Sequence, residues 1–226
     1  MKKLIAMILT LMLAVTFCAM ACAGAEELYP TYSVDMEAYG TADSTVMAKI
    51  DPARIEADNL LVYSVYGNDL YKAEDILALK PGDQIFINNE HMTVETVEKT
   101  ENGVELNGGF ISEETEGEGA TLVYDENDPA FMVSTLYDGD VNITMVGEAM
   151  YPMADTVHLK TFRMDETGEY NGEYNEADVA AADMQSYLTE LSGREPEMVP
   201  FVAPNCTVRL ENGKVVEIVV EWSPSV

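Results

Sequence analysis

Positive charge is scarce in this 226-residue chain: 12 lysines and arginines stand against 41 aspartates and glutamates, a formal net charge of −29. A surface of that sign repels nucleic-acid phosphates and anionic lipid headgroups, which argues against both as partners. It would attract a cation, a basic peptide or a cell-envelope component, and it also serves plain solubility. Histidine is nearly missing, with His91 and His158 alone. Two isolated imidazoles with no cysteine or second histidine at ligand spacing form no zinc motif. A Gly-x-Ser-x-Gly elbow, which a serine triad on an α/β-hydrolase scaffold would need, is absent. Trp222 is the single tryptophan and too isolated to define a carbohydrate platform. Of the three cysteines, Cys206 alone lies beyond the first 25 residues, so no internal disulfide framework can form there and stability must come from a packed core.

Charge is also absent from Leu4 to Ala25, between the basic Met1-Lys2-Lys3 start and Glu26-Glu27. A basic opening, an apolar run and the small-residue ending Ala23-Gly24-Ala25 are the three parts of a secretory signal peptide over residues 1–25. Two alternatives share the segment. An uncleaved apolar run of this length could span a bilayer. Ala19-Met20-Ala21-Cys22 also resembles a bacterial lipobox, which would place an acyl chain on Cys22, although Ala19 stands where that pattern prefers leucine. Cleavage after Ala25 leaves 201 residues (226 less 25) and a charge of −31 (the −29 less two lysines), enough for one domain or two small ones. The expected site of the mature protein is outside the cell or on its surface.

The remainder alternates apolar and polar residues between frequent turns. Residues 26–44 are acidic and aperiodic and read as a tether, unless their tyrosines pack onto the domain. A β-rich globular region covers 45–226, read as one interlocked domain, with division into two β-units near 125–130 as the alternative. Strands are expected at 45–50 and 60–66, separated by a loop at Pro52, then at 84–88, 92–97, 104–107, 120–124, 131–137, 141–146 and 156–163. Asn102-Gly103, Asp138-Gly139 and Asn212-Gly213 are hairpin turns, because two-residue loops need positive φ. A short helix fits 73–79, closed by Pro81-Gly82. One long helix is expected over 176–191, with Asn175 as its cap and Met184, Tyr187, Leu188 and Leu191 on its apolar side. The fold class is therefore β-rich α+β, with antiparallel sheets forming a barrel or a sandwich.

Cys206, with Arg209 three positions on and His158 upstream, is the one nucleophile-base-cation set available. In composition it resembles the Cys, His and Arg of sortases and L,D-transpeptidases, which are exported and β-rich. It departs from both. Pro204-Asn205 precede the cysteine where L,D-transpeptidases carry Ser-x-Gly, and an arginine three positions along a strand faces the opposite side. The plainer reading is a buried cysteine acting as a small hydrophobe. Residues 167–178 can be laid on an EF-hand calcium loop through Glu169, Asn171, Gly172 and Asp178, although Thr167 stands where aspartate belongs; Asp138, Asp140 and Asn142 form a second oxygen-rich turn. Turn and capping roles account for the same residues. Paired carboxylates could perform glycoside hydrolysis, but 41 acids single out no pair. Tyr63, Tyr66, Tyr71, Tyr137 and Tyr151 could stack on sugars, yet strand tyrosines more often pack. The expectation is a non-catalytic exported binding or surface-associated module; the alternative is an exported hydrolase or Cys-dependent acyl transferase.

Overall fold

The computed structural model describes residues 27–56, 59–101, 103–109, 119–125, 130–134, 141–164, 170–194, 203 and 205–221. The expected export segment and Cys22 lie outside them, as do Asp138, Asp140 and Glu169. In chain order the elements are β1 (Thr31–Tyr32), β2 (Ser44–Glu56), β3 (Leu60–Lys72), helix α1 (Ala73–Ala78), β4 (Gln84–Ile87), β5 (Glu90–Thr93), β6 (Val97–Lys99), β7 (Gly103–Leu106), β8 (Ala120–Asp125) and β9 (Ala130–Val133). They continue with β10 (Ile143–Met164), β11 (Tyr170–Ala180), a 3-10 turn (Ala181–Asp183), helix α2 (Met184–Arg194), β12 (Cys206–Glu211) and β13 (Lys214–Val220). The fold is mainly β and sandwich-like.

The chain forms two compact units. Of the described residues, one comprises those up to Thr31 with those in Leu70–Asn142, the other those in Tyr32–Asp69 with those from Ile143 onward. Residues 126–129, around the alternative point of division, lie outside the described set.

In the second unit the ladder runs β11-β10-β13-β12-β2-β3, and the first part of β10 also pairs with β3. Pro152 marks the exchange: it is the last β10 residue registered with β3, opposite Leu60, and Met153 opens the ladder to β13. Two expected strands, 141–146 and 156–163, are thus one strand of 22 residues serving two partners. The expectation of purely antiparallel pairing is corrected by β10 and β13, which run parallel. Topology forces this. β10 and β2 are both antiparallel to β3, while β13 is reversed twice from β2 through β12, so β10 and β13 share one direction. The loop expected at Pro52 is also absent; β2 runs through it, and the ladder to β3 shifts register between Ile50 and Ile55, where an irregular strand tolerates proline.

The long helix expected over 176–191 is corrected at its start. Residues through Ala180 are strand β11, in register with β10 from Thr156↔Ala180 to Thr161↔Asn175, and α2 begins only at Met184. The acidic, alanine-rich composition suits a helix, but Ala177, Val179 and Ala181 alternate inward, and pairing with β10 decides the conformation. The expected apolar side of the helix does pack: Met184 and Leu188 are fully buried, with Tyr187 and Leu191 partly so. Each such burial stabilises the fold by roughly 1.5–3 kcal/mol. The core they join includes Leu61, Tyr63, Val65, Leu159, Cys206, Val208 and Ile218.

In the acidic stretch 26–44, Tyr29 and Tyr32 stay largely exposed while Tyr39 is buried. Asp35 caps a turn by accepting the Glu37 amide at 2.9 Å, and Tyr39 enters the core of the second unit.

In the first unit β9, β8, β7 and β6 form an antiparallel meander beside the last residues of β3. β4 and β5 make a separate hairpin whose turn residues, Asn88 and Asn89, both have positive φ, as a two-residue loop requires. Its core gathers Tyr71, Ile76, Ile85, Ile87, Leu106, Leu122 and Phe131. The short helix α1 is where the sequence put it, with Ile76 buried.

Candidate functional site

Cys206 begins β12, whose burial alternates: Cys206, Val208 and Leu210 face the core, while Thr207, Arg209 and Glu211 occupy the other face. The thiol is free and wholly buried, and burial pushes its pKa up to about 12, away from the thiolate that a nucleophile needs. His158 sits on β10, with β13 between its strand and β12. Two strand spacings amount to about 10 Å. The imidazole is partly exposed and lies against carboxylates, Nδ1 being 3.0 Å from Asp178 Oδ1. The three residues are therefore not assembled as a nucleophile, base and oxyanion cation.

His158 and Arg209 do share something else. Cross-strand register aligns Thr45, Arg209, Glu217, His158 and Asp178 in one row across β2, β12, β13, β10 and β11. Arg209 donates from Nε to Glu217 at 2.6 Å and also bonds Glu211, and these carboxylates, Glu217 above all, hold the guanidinium more firmly charged. Neighbouring rows continue the pattern: Arg163 Nη1 meets Glu173 at 3.2 Å, and Lys160 lies 4.3 Å over the Tyr174 ring. Cations on this part of the sheet are each held by acids or an aromatic face.

The EF-hand alignment over 167–178 falls, in its described part, on β11. Calcium loops curl so that alternate oxygens converge, whereas residues 170–180 are extended and Asp178 is committed to His158. Gly172, with φ +81, lies in the irregular stretch between Phe162 and Met164 of the ladder. Among the described residues no group of three or more His, Cys, Asp or Glu side chains is placed to hold a metal ion.

Concave surface is found in the first unit. A groove of about 650 Å³ lies between α1, the β6–β7 connection and the β8–β9 pair. Helix geometry places it: Ile76 turns inward, so its neighbour Leu77 is left 47% exposed at the rim. Tyr124 near the end of β8 is 44% exposed, and its ring lies 5.3 Å from that of Phe131, directly opposite on β9. Across the groove stand Lys99, Thr100 and Glu101. Gly103 belongs to the floor; a Cβ there would come within 1.9 Å of the Leu122 carbonyl oxygen, so only glycine permits this approach of β7 to β8. Nothing in the sequence reading singled out these residues. Their one local signal is the adjacency of Ile76 and Leu77, which a single helix face cannot bury together.

A second cleft of about 520 Å³ is lined by Glu90, His91, Glu95 and Asn107. There His91 Nδ1 pairs with Glu27 at 2.5 Å, which lowers the carboxyl pKa, and Asn107 Oδ1 accepts the Glu95 amide at 2.7 Å. Both contacts tie chain segments together. Comparisons with protein-family models, curated proteins and solved structures return no match for this chain.

Proposed function

We propose that this chain is an exported or surface-associated, non-catalytic binding module. The placement of Cys206 carries the reading: the lone thiol beyond the export segment is buried in the core, on the opposite face of β12 from Arg209. The acyl-transferase alternative needs that sulfur exposed beside a base. Residues 1–25 support export through their basic start, apolar run and small-residue ending. The excess of acids supports a partner that is not nucleic acid. Concave, half-polar surface in the first unit offers a place for a ligand.

The test is to incubate the secreted chain with chromogenic ester, amide and glycoside substrates, beside the Cys206→Ala and His158→Ala variants. No turnover above the buffer rate is expected from any of the three. Turnover that disappears in either variant would replace this reading with an enzyme.

A further inference from the structure

We propose that the groove beside Tyr124 is a binding site for a neutral oligosaccharide, a site that rests on the binding-module reading and gives it a ligand class. A sugar ring presents an apolar face of C–H groups and a rim of hydroxyls, and the groove is divided in the same way. Its apolar wall is Leu77, Tyr124 and the buried Phe131, with Tyr124 partly exposed and its ring against that of Phe131. Such a ring supplies flat apolar contact at small entropic cost, and its hydroxyl remains available to the ligand.

Its polar wall is Lys99, Thr100 and Glu101, which offers an ammonium donor, a hydroxyl and a carboxylate acceptor within three consecutive positions. Neither Lys99 nor Glu101 takes part in a salt bridge among the described residues, whereas Arg54, Arg163 and Arg209 are all paired. With no such partner among the described residues, the two side chains can hydrogen-bond a ligand, and a charged group that bonds a hydroxyl makes the stronger kind of contact. A volume of about 650 Å³ falls in the range of small-ligand sites and suits two or three sugar rings better than one. The choice of a neutral saccharide follows from charge. The groove contributes one cation and one acid, while the whole chain at −29 would repel a uronate or phosphate polymer.

The experiment is a titration of the ¹⁵N-labelled secreted chain with chitotriose, cellotriose and maltotriose, each to about 10 mM, which comes near saturation for a Kd on the order of 1 mM. Saturable shifts at Val123, Tyr124 and Lys99 with at least one trisaccharide are expected. Tyr124→Ala should weaken that binding about tenfold or more, while Tyr124→Phe, which keeps the ring, should stay within about threefold of the parent. Tyr124→Phe keeps the ring contact with Phe131 and Tyr124→Ala removes it, so unchanged spectra away from the groove verify the fold of the alanine variant. Absence of shifts with all three sugars overturns the site, as does binding indifferent to Tyr124→Ala. Cleavage of a trisaccharide in the same tube would instead overturn the non-catalytic reading and leave the sugar site standing, so the two failures are distinguishable.

Discussion

The hydroxyl oxygens of Tyr39 and Tyr63 lie 2.6 Å apart inside the second unit, and the Tyr151 hydroxyl donates at 2.8 Å to the Tyr39 carbonyl. Tyr39 comes from the acidic stretch near the start of the described chain, Tyr63 from the first part of β3 and Tyr151 from β10, so three distant segments meet in one polar knot within an apolar core. Burial is the largest cause raising both buried phenols: Tyr39 is pushed up to about 12, and Tyr63 is raised as well, helped by its hydrogen bond to Tyr39.

Alkaline stability should follow from this knot. Both tyrosines, and Cys206 with them, keep their protons to higher pH in the fold than in the unfolded chain, where they titrate at roughly 10 and 8.5. Between those values and about 12 the folded state binds more protons than the unfolded one, so its stability falls as pH rises. The contribution should be whole below about pH 8 and progressively lost up to about pH 12. Urea midpoints at pH 8, 10 and 11 measure it, and a flat series would contradict the burial of these protonated groups. Tyr39→Phe at pH 8 leaves the Tyr63 hydroxyl without that partner and should cost about 1–3 kcal/mol.

Cys206 should be inert to thiol reagents in the native protein, because its sulfur is wholly buried and its thiol holds its proton up to about 12. Labelling by a chromogenic disulfide should follow the rate of unfolding across a urea series. Reaction within seconds in native buffer would show an accessible thiolate. Cys206→Ala removes one buried atom and should cost about 1 kcal/mol, with trisaccharide binding unchanged.

How much of this was legible without coordinates depends on how local the cause is. The Asn212-Gly213 hairpin is written in four or five consecutive residues, and the structure gives both turn residues positive φ. The packed side of α2 is likewise local, since Met184, Tyr187, Leu188 and Leu191 repeat at helical spacing. The start of α2 was not, because Asn175 to Ala180 satisfies helix propensity and strand alternation alike, and the neighbour that decides between them, β10, lies some twenty residues upstream. Register between distant strands is harder still. Nothing near Arg209 announces Glu217 and His158 as its row, and the groove draws Leu77, Lys99, Tyr124 and Phe131 from four separate elements or their ends.

Gly40 and Gly82 offer a matched pair for measuring one contact. Both have positive φ, +80 and +98, so alanine at either meets the left-handed penalty. Only at Gly40 would the new Cβ strike something, the Tyr151 hydroxyl at 1.9 Å; at Gly82 the space is open. Gly82→Ala should cost about 1 kcal/mol, and Gly40→Ala clearly more, about 2–3 kcal/mol, as the Tyr151 ring is displaced. Equal losses in the two variants would mean that Tyr151 does not cover Gly40.

Calcium gives the last prediction, because the acidic chain makes any divalent cation stabilising to some degree. Bringing a charge of −29 into a compact fold costs repulsion, which both calcium and sodium ions relieve by screening. A specific site behaves differently: it saturates, and at 100 times its dissociation constant it adds about 2.7 kcal/mol. The two oxygen-rich segments lead to an expectation of screening alone. In the one spanning 167–178, the described residues run extended in β11 and Asp178 faces His158 at 3.0 Å, so among the described residues the oxygens do not converge as in a calcium loop. Of the other, Asn142 alone is described, and its backbone N–H donates to the Val133 carbonyl at 2.8 Å. Melting temperatures in chelator, in millimolar calcium and in sodium chloride of matched ionic strength should therefore show equal small rises for the two salts over the chelator sample. A rise of several degrees with calcium alone, saturating below about 1 mM, would establish a metal site and make ion-dependent folding the starting point for explaining the acidic surface.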